Sequence, residues 1–150
     1  MIDPQKIRPP HVAAVFLTLI LILNFLLSPP RVISQQYWGV GIIVLVAGFM
    51  LMGWARQLFG KYKTPVRHSE KPTRHVTEGP FRFSRNPMYV GGIIMFVGLA
   101  IAVGTWPFFL FPLFMAMILN SIYIPWEEQM MIDLFGDEFK QYMKKIRRWI

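Results

Sequence analysis

The sequence predicts an all-α integral membrane bundle of four transmembrane helices followed by a C-terminal amphipathic cytoplasmic helix, built as one domain over residues 1–150. Three observations carry this. First, 54% of the residues are apolar and only 16% are charged, whereas a soluble domain carries ~25% charged residues. Second, the apolar residues gather into four runs, 12–27, 37–59, 88–103 and 106–124. Third, Arg31 is the only one of the 16 Lys and Arg residues that falls between runs one and two or between runs three and four. The positive-inside rule then places both termini, the link 60–87 and the tail 126–150 in the cytoplasm of a multi-pass membrane protein.

Each run supports this reading in turn. Val12 to Leu27 holds Thr18 and Asn24 as its only polar residues. Lys6 and Arg8 before it imitate a signal peptide, but Ser28-Pro29-Pro30-Arg31 is not a small-x-small cleavage site, so the run is expected to stay as a span. Tyr37 to Phe59 has Trp38 and Trp54 near its ends and Arg56 at its exit. Met88 to Val103 follows the basic link, and Trp106 to Ile124 is interrupted only by Asn120 and Ser121. A crossing needs about 20 apolar residues, so the first and third runs require help from their flanks. Tyr37, Trp38, Trp54, Trp106 and Trp126 sit where an interfacial aromatic belt belongs. Ser28-Pro29-Pro30 and Gly104-Thr105-Trp106-Pro107 read as the two outer turns.

In the third run, Gly98 with Ala102 forms a small-xxx-small pair suited to close helix packing, while Gly91 suits either packing or room for a ligand. In the tail, Met131, Phe135, Phe139, Tyr142, Ile146 and Trp149 recur at helical spacing, with Gly136 as a place to kink. Such a helix either lies on the membrane surface, where Lys144, Lys145, Arg147 and Arg148 meet anionic lipid, or folds back over the link 60–87 and closes a site.

Charge and composition exclude several functions. A net charge of +8 and a pI near 10.1 would suggest nucleic acid in a soluble protein. Here the positive charge follows membrane topology, so no nucleic-acid partner is expected. With no cysteine, and with His11, His68 and His75 outside ligand spacing, no metal centre is expected. No phosphate-binding glycine loop and no Ser/His/Asp set is present, and no residue stands out as a catalytic acid or base.

The polar sequence lies on one face, so chemistry on a water-soluble molecule belongs there. The run Gly79-Pro80-Phe81-Arg82-Phe83-Ser84-Arg85-Asn86-Pro87-Met88-Tyr89-Val90-Gly91 opens from basic loop into a span. Pro87 suits the first helical turn and puts Asn86 at or near the cap. A helix N-terminus attracts carboxylate or phosphate, and Arg85 adds a bidentate donor. The plainer role of Arg82 and Arg85 is membrane anchoring. Glu127-Glu128 follows the last span; the pair either starts the tail helix favourably or turns one carboxylate inward to bind hydroxyls or an ammonium.

Taken together, the run from Val76 to Gly91 and the tail pattern Glu127-Glu128, Leu134-Phe135-Gly136-Asp137-Glu138-Phe139, Tyr142 and Arg147-Arg148-Trp149 resemble the isoprenylcysteine carboxyl methyltransferase family, with the related phospholipid methyltransferases sharing a looser version. The resemblance covers about half of the chain. It implies an integral membrane enzyme that uses S-adenosyl-L-methionine and methylates an amphiphilic or small lipophilic acceptor reaching it from the membrane lipids. It also implies that His75 and Val76 line the cofactor, that Phe81 packs on it, that Arg85, Asn86, Pro87, Met88 and Tyr89 wrap it, and that Glu127 or Glu128 supplies a carboxylate. The chemistry of the cofactor suits these residues: Phe81, Phe83 and Tyr89 offer faces for adenine and for a sulfonium. Two positions depart from the pattern. Asn86 stands where many relatives have His, and Ser121-Ile122-Tyr123-Ile124-Pro125 lacks the Arg that the eukaryotic carboxyl methyltransferases carry about one turn before the acidic pair to hold the substrate carboxylate, which argues against a prenylcysteine carboxylate as substrate. The acceptor atom stays open between oxygen, nitrogen and sulfur, with phospholipid N-methylation and non-catalytic cofactor or lipid binding as alternatives.

Overall fold

The computed structural model describes residues 8–65 and 72–150, and every regular element among them is helical. Lys6, Arg67, His68 and Lys71, which enter the charge and histidine patterns, lie outside the described residues. The helices are α1 (Pro9–Leu27), α2 (Trp38–Lys61), α3 (Pro87–Val103), α4 (Trp106–Ile118) and α5 (Ile124–Lys145). Proline occupies the first turn of α1, α3 and α4, where its missing N–H removes no intrahelical bond and its fixed φ favours the helix.

The four apolar runs fall on helices as the sequence predicts. Helices Pro9–Leu27, Gln35–Lys61 and Trp106–Lys145 are long and apolar enough to cross a membrane. Helix α3 has 17 residues. At 1.5 Å per residue it spans only about 25 Å, a little less than the ~30 Å hydrocarbon core.

The fourth span and the tail are not separate helices. A π-helical turn, Leu119–Tyr123, carries α4 straight into α5. The direction changes instead at Gly136, whose φ of 53° and ψ of −125° lie in a region that only glycine enters at little cost. The bend divides α5 into a first arm before Gly136 and a second arm after it, and the second arm returns toward the first. Helix ends at Lys145, earlier than the spacing of Ile146 and Trp149 suggests. Ile146 is extended (φ −115°, ψ 131°) because the last residues exchange helical bonds for contacts with the start of α3: Arg85 N–H donates to Arg147 O at 3.0 Å, and Ser84 Oγ and Asn86 Nδ2 donate to Arg148 O at 3.3 and 3.0 Å.

Helices α2 and α3 touch backbone to backbone. A Cβ added at Gly41 would strike Ala102 and Gly98, and one at Gly98 would strike Leu45 and Gly41. One at Gly48 would strike Met95 and Gly91, and one at Gly91 would fall 2.7 Å from Gly48 O. Gly91 therefore serves packing, and four glycines set the separation of the two helices. On the other side of α3, the main core joins Val12 and Ile20 of α1 to Ala100 of α3, Phe108, Phe111 and Met115 of α4, and Leu119, Tyr123 and Ile124. Val15, Leu19, Ile22, Phe25, Ile43, Phe49 and Met50 stay exposed on α1 and α2, forming an apolar exterior suited to lipid. At the Arg31 end of α3, Thr105 Oγ1 donates to Asn24 Oδ1 at 2.6 Å, which accounts for the asparagine inside the first apolar run.

Candidate functional site

The opposite end of α3 is where the polar sequence converges. The link returns to the end of α2 through Thr64, a buried residue whose hydroxyl accepts from Thr73 N–H at 2.9 Å. Val76 and Phe81 then pack on Ala55, with Phe59, Tyr62 and Met88 around them; the Phe59 and Phe81 rings meet edge to face at 5.5 Å. A 3₁₀ turn, Gly79–Arg82, follows and leads into α3. The arm of α5 beyond Gly136 lies over this segment, where Tyr142 OH donates to Phe81 O at 2.6 Å. Burial pushes the Tyr142 phenol up to about 12, so it remains a donor at physiological pH.

Between the link, the start of α3 and both arms of α5 lies a cleft of about 160 Å³. All ten residues singled out from the sequence line it: His75, Val76, Phe81 and the run 85–89 from one side, Glu127 and Glu128 from the other. Met130, Met131, Phe139 and Tyr142 complete the α5 wall. Of the three aromatics expected to offer a face to a ligand, Phe83 does not join them. It is 71% exposed, because the 3₁₀ turn aims Phe81 inward and leaves Phe83 outside it.

Glu128 is the most tightly held of the ten. Arg85 donates Nε and Nη2 to its Oε1 at 3.2 and 2.7 Å. Arg148 donates Nε to Oε1 at 3.2 Å and Nη2 to Oε2 at 2.6 Å. Burial pushes the Glu128 carboxyl up, and the hydrogen bonds from Arg148 and Arg85 outweigh it, holding the group below its ordinary value. A buried carboxylate is tolerated here because both its oxygens are saturated by charged donors.

Arg85 differs from its sequence expectation. Besides Glu128, its Nη1 donates to Met143 O at 2.9 Å and Ile146 O at 2.8 Å. Four of its five N–H donors thus serve the protein, and Arg85 ties α3 to the returning chain rather than presenting a bidentate fork. Asn86 occupies the N-cap position of α3 but makes no side-chain cap bond; its amide is turned to Arg148 O, and Ser84 Oγ accepts the Asn86 N–H at 3.0 Å instead. Tyr89 OH donates to Glu127 Oε1 at 2.6 Å.

His75 is 4% exposed at its side chain and lies 3.1 Å through Nδ1 from Glu138 Oε1. Its ring stands 4.6 Å from Tyr142, 5.2 Å from Phe139 and 5.8 Å from Phe135, centroid to centroid. Its Nε2 is buried with no hydrogen-bond partner among the described residues.

Several structurally decisive residues have no role of their own in the sequence reading: Asn120, Glu138 and Arg148. Asn120 Oδ1 accepts from Arg148 Nη1 at 3.2 Å and from Trp149 Nε1 at 3.1 Å, so an amide inside the last apolar run is the anchor of the chain's end. A polar residue in an apolar run is the signal that pointed to it. Among the described residues, no group of three or more His, Cys, Asp or Glu could hold a metal ion.

Comparison with known proteins adds an independent line. Residues 37–138 match the family model for phospholipid methyltransferases, a range that contains α2, the link, α3, α4 and the first arm of α5. A probable protein-S-isoprenylcysteine O-methyltransferase of Oryza sativa subsp. indica is 27% identical over 128 residues, covering 75% of this chain and 61% of the relative. The protein-S-isoprenylcysteine O-methyltransferase of Schizosaccharomyces pombe is 32% identical over 130 residues, 83% of this chain and 51% of the relative. That of Dictyostelium discoideum is 26% identical over 130 residues, 78% and 50%. The chain therefore spans between half and three fifths of the length of these relatives.

Proposed function

The chain belongs to the phospholipid methyltransferase family, and from that premise we propose that it is an integral membrane methyltransferase whose cleft binds S-adenosyl-L-methionine. The acceptor is an amphiphilic or small lipophilic molecule that reaches the cleft from the bilayer. The cleft lies at the cytoplasmic surface, on the side where all basic residues but Arg31 gather.

The residues present fit the cofactor. The observation that carries the reading is a cleft at the mouth of a membrane helix that combines an aromatic end with an ionic end. At the first end, the buried Nε2 of His75, which has no partner among the described residues, leaves a hydrogen-bonding position for a nucleoside. Phe81, Phe139 and Tyr142 supply flat apolar walls there. At the second end, Glu127, paired to the Tyr89 hydroxyl, faces the cleft with a carboxylate suited to an ammonium or a ribose diol. The N-terminus of α3, left without a side-chain cap, carries the partial positive charge that suits a carboxylate. Arg85 and Arg148 act from behind, fixing Glu128 and the wall it belongs to.

When bound, S-adenosyl-L-methionine supplies an electrophilic methyl group on a sulfonium. The chain's task is then orientation: holding donor and acceptor in line removes much of the entropic barrier. A carboxylate or thiolate acceptor needs no proton removed, which agrees with the absence of a designated base among the residues singled out. The Met130 and Met131 side chains give the cleft an adaptable apolar lining.

The test is transfer of a labelled methyl group from S-adenosyl-L-methionine to organic-extractable material in membranes containing the protein. Label in an alkali-labile ester identifies an oxygen acceptor, label in phosphatidylethanolamine derivatives a nitrogen acceptor, and label stable to alkali in a thioether a sulfur acceptor. Membranes that contain folded protein and transfer no label above control membranes, with any extract supplied, refute the reading.

A further inference from the structure

His75 and Glu138 carry an inference that rests on the cofactor reading and goes beyond it. An ionised carboxylate only accepts hydrogen bonds. With Glu138 Oε1 at 3.1 Å from Nδ1, the neutral imidazole carries its proton on Nδ1, and Nε2 is left with a bare lone pair. That nitrogen is buried, has no partner among the described residues, and belongs to a residue that lines the cleft. The neighbouring Tyr142 hydroxyl does not satisfy it, because its proton is committed to Phe81 O at 2.6 Å.

The surroundings decide what the lone pair meets. His75 sits at the bend of α5, against Phe135, Phe139 and Tyr142, where a flat base fits and a charged amino-acid group does not. Glu127 lies eight positions before Phe135, about 12 Å away along the first arm, so the ionic end of the cleft is well separated from the aromatic end.

We propose that Glu138 is a specificity-determining positioning residue: by accepting from Nδ1–H it makes His75 Nε2 a buried acceptor that reads the exocyclic amino group of the cofactor's adenine and rejects a 6-oxo purine. An oxo group at that position sets lone pair against lone pair and leaves both groups buried and unpaired, which is where hydrogen-bond selectivity is strongest. Glu138 touches no ligand in this arrangement; it acts through the ring. Its side chain is 68% exposed, so Glu138→Ala leaves the fold intact while removing the acceptor that fixes the tautomer.

The test compares S-adenosylhomocysteine with S-inosylhomocysteine by calorimetry on the purified protein in detergent, alongside the ¹⁵N histidine spectrum of the cofactor-free protein. The signal of His75 is assigned by its loss in His75→Phe. Wild type should bind the adenosyl compound at least about ten-fold more tightly than the inosyl compound, and Glu138→Ala should narrow that ratio to under about three-fold. The spectrum should show His75 protonated on Nδ1 and bare at Nε2. Equal binding of the two compounds by wild type, an unchanged ratio in Glu138→Ala, or a His75 ring carrying a proton on Nε2 overturns the inference and leaves the cofactor reading standing. Binding of neither compound by folded wild type overturns both.

Discussion

Glu128 and Arg148 stand twenty positions apart and meet through two hydrogen bonds, Nη2 to Oε2 at 2.6 Å and Nε to Oε1 at 3.2 Å. This pair holds the chain's end against the acidic start of α5, and Arg85 completes it from the turn before α3 at 2.7 Å. Three separate segments thereby share one buried carboxylate that lines the cleft.

Removing the shared carboxylate leaves two guanidinium groups facing each other without their partner. Glu128→Ala should destabilise the protein by about 3–5 kcal/mol, the usual consequence of breaking a buried pair from one side. Thermal unfolding in detergent reads this as a large drop in Tm. In a double-mutant cycle, Glu128→Ala and Arg148→Ala together should cost clearly less than the sum of the two singles.

The same carboxylate sets the response to acid. Its folded-state pKa lies below the ordinary value of 4.5, so its ionisation favours the folded state. That contribution is complete above about pH 4.5 and is lost as pH falls through the lower folded value. Wild type should lose thermal stability on acidification below pH 4.5. Glu128→Gln should begin less stable at neutral pH and lose this part of the acid dependence, which melts recorded from pH 3 to 7 would reveal.

Two alanine substitutions within α2 should have opposite signs. A Cβ at Gly48 strikes the backbone of α3 at Met95 and Gly91, whereas one at Gly53 meets nothing within 4 Å. Gly48→Ala should destabilise by about 1–3 kcal/mol through overpacking. Gly53→Ala should stabilise by about 0.5–1 kcal/mol through helix propensity. Parallel melts of the two variants compare them directly.

Tyr142→Phe removes the donor to Phe81 O and leaves that part-buried carbonyl without its phenol. The expected loss is about 1–3 kcal/mol of stability. Because Phe81 and Tyr142 both line the cleft, binding of S-adenosylhomocysteine should weaken in the same variant, measured at a temperature where it remains folded.

Much of this architecture is legible in the sequence because its signals are local. Apolar runs mark the spans, and the motif from Val76 to Gly91 marks the mouth of α3. The ten residues drawn from that motif and from Glu127-Glu128 converge on one cleft. What escapes is long-range. Gly136 reads as a kink, but nothing in the sequence says that its φ of 53° sends the chain back to Glu128. Arg148 therefore reads as one of four basic residues at a helix end, and Arg85 as a ligand fork, when the two share a single carboxylate. The periodicity of Ile146 and Trp149 continues past the true helix end at Lys145 because their spacing survives the change to extended backbone. Phe81 and Phe83 are equivalent in composition, and only the 3₁₀ turn Gly79–Arg82 separates the buried ring from the exposed one.

The central claim is that this cleft, and no other surface, holds S-adenosyl-L-methionine, and the most direct measurement is calorimetric titration with S-adenosylhomocysteine of wild type, Met131→Trp and Phe83→Ala in detergent. Met131 lines the cleft and an indole there fills it, whereas Phe83 lies exposed outside it. The account predicts one saturable site per chain in wild type, unchanged in Phe83→Ala and abolished in a folded Met131→Trp. Wild-type affinity retained in folded Met131→Trp, or no binding by monodisperse wild type, would contradict it.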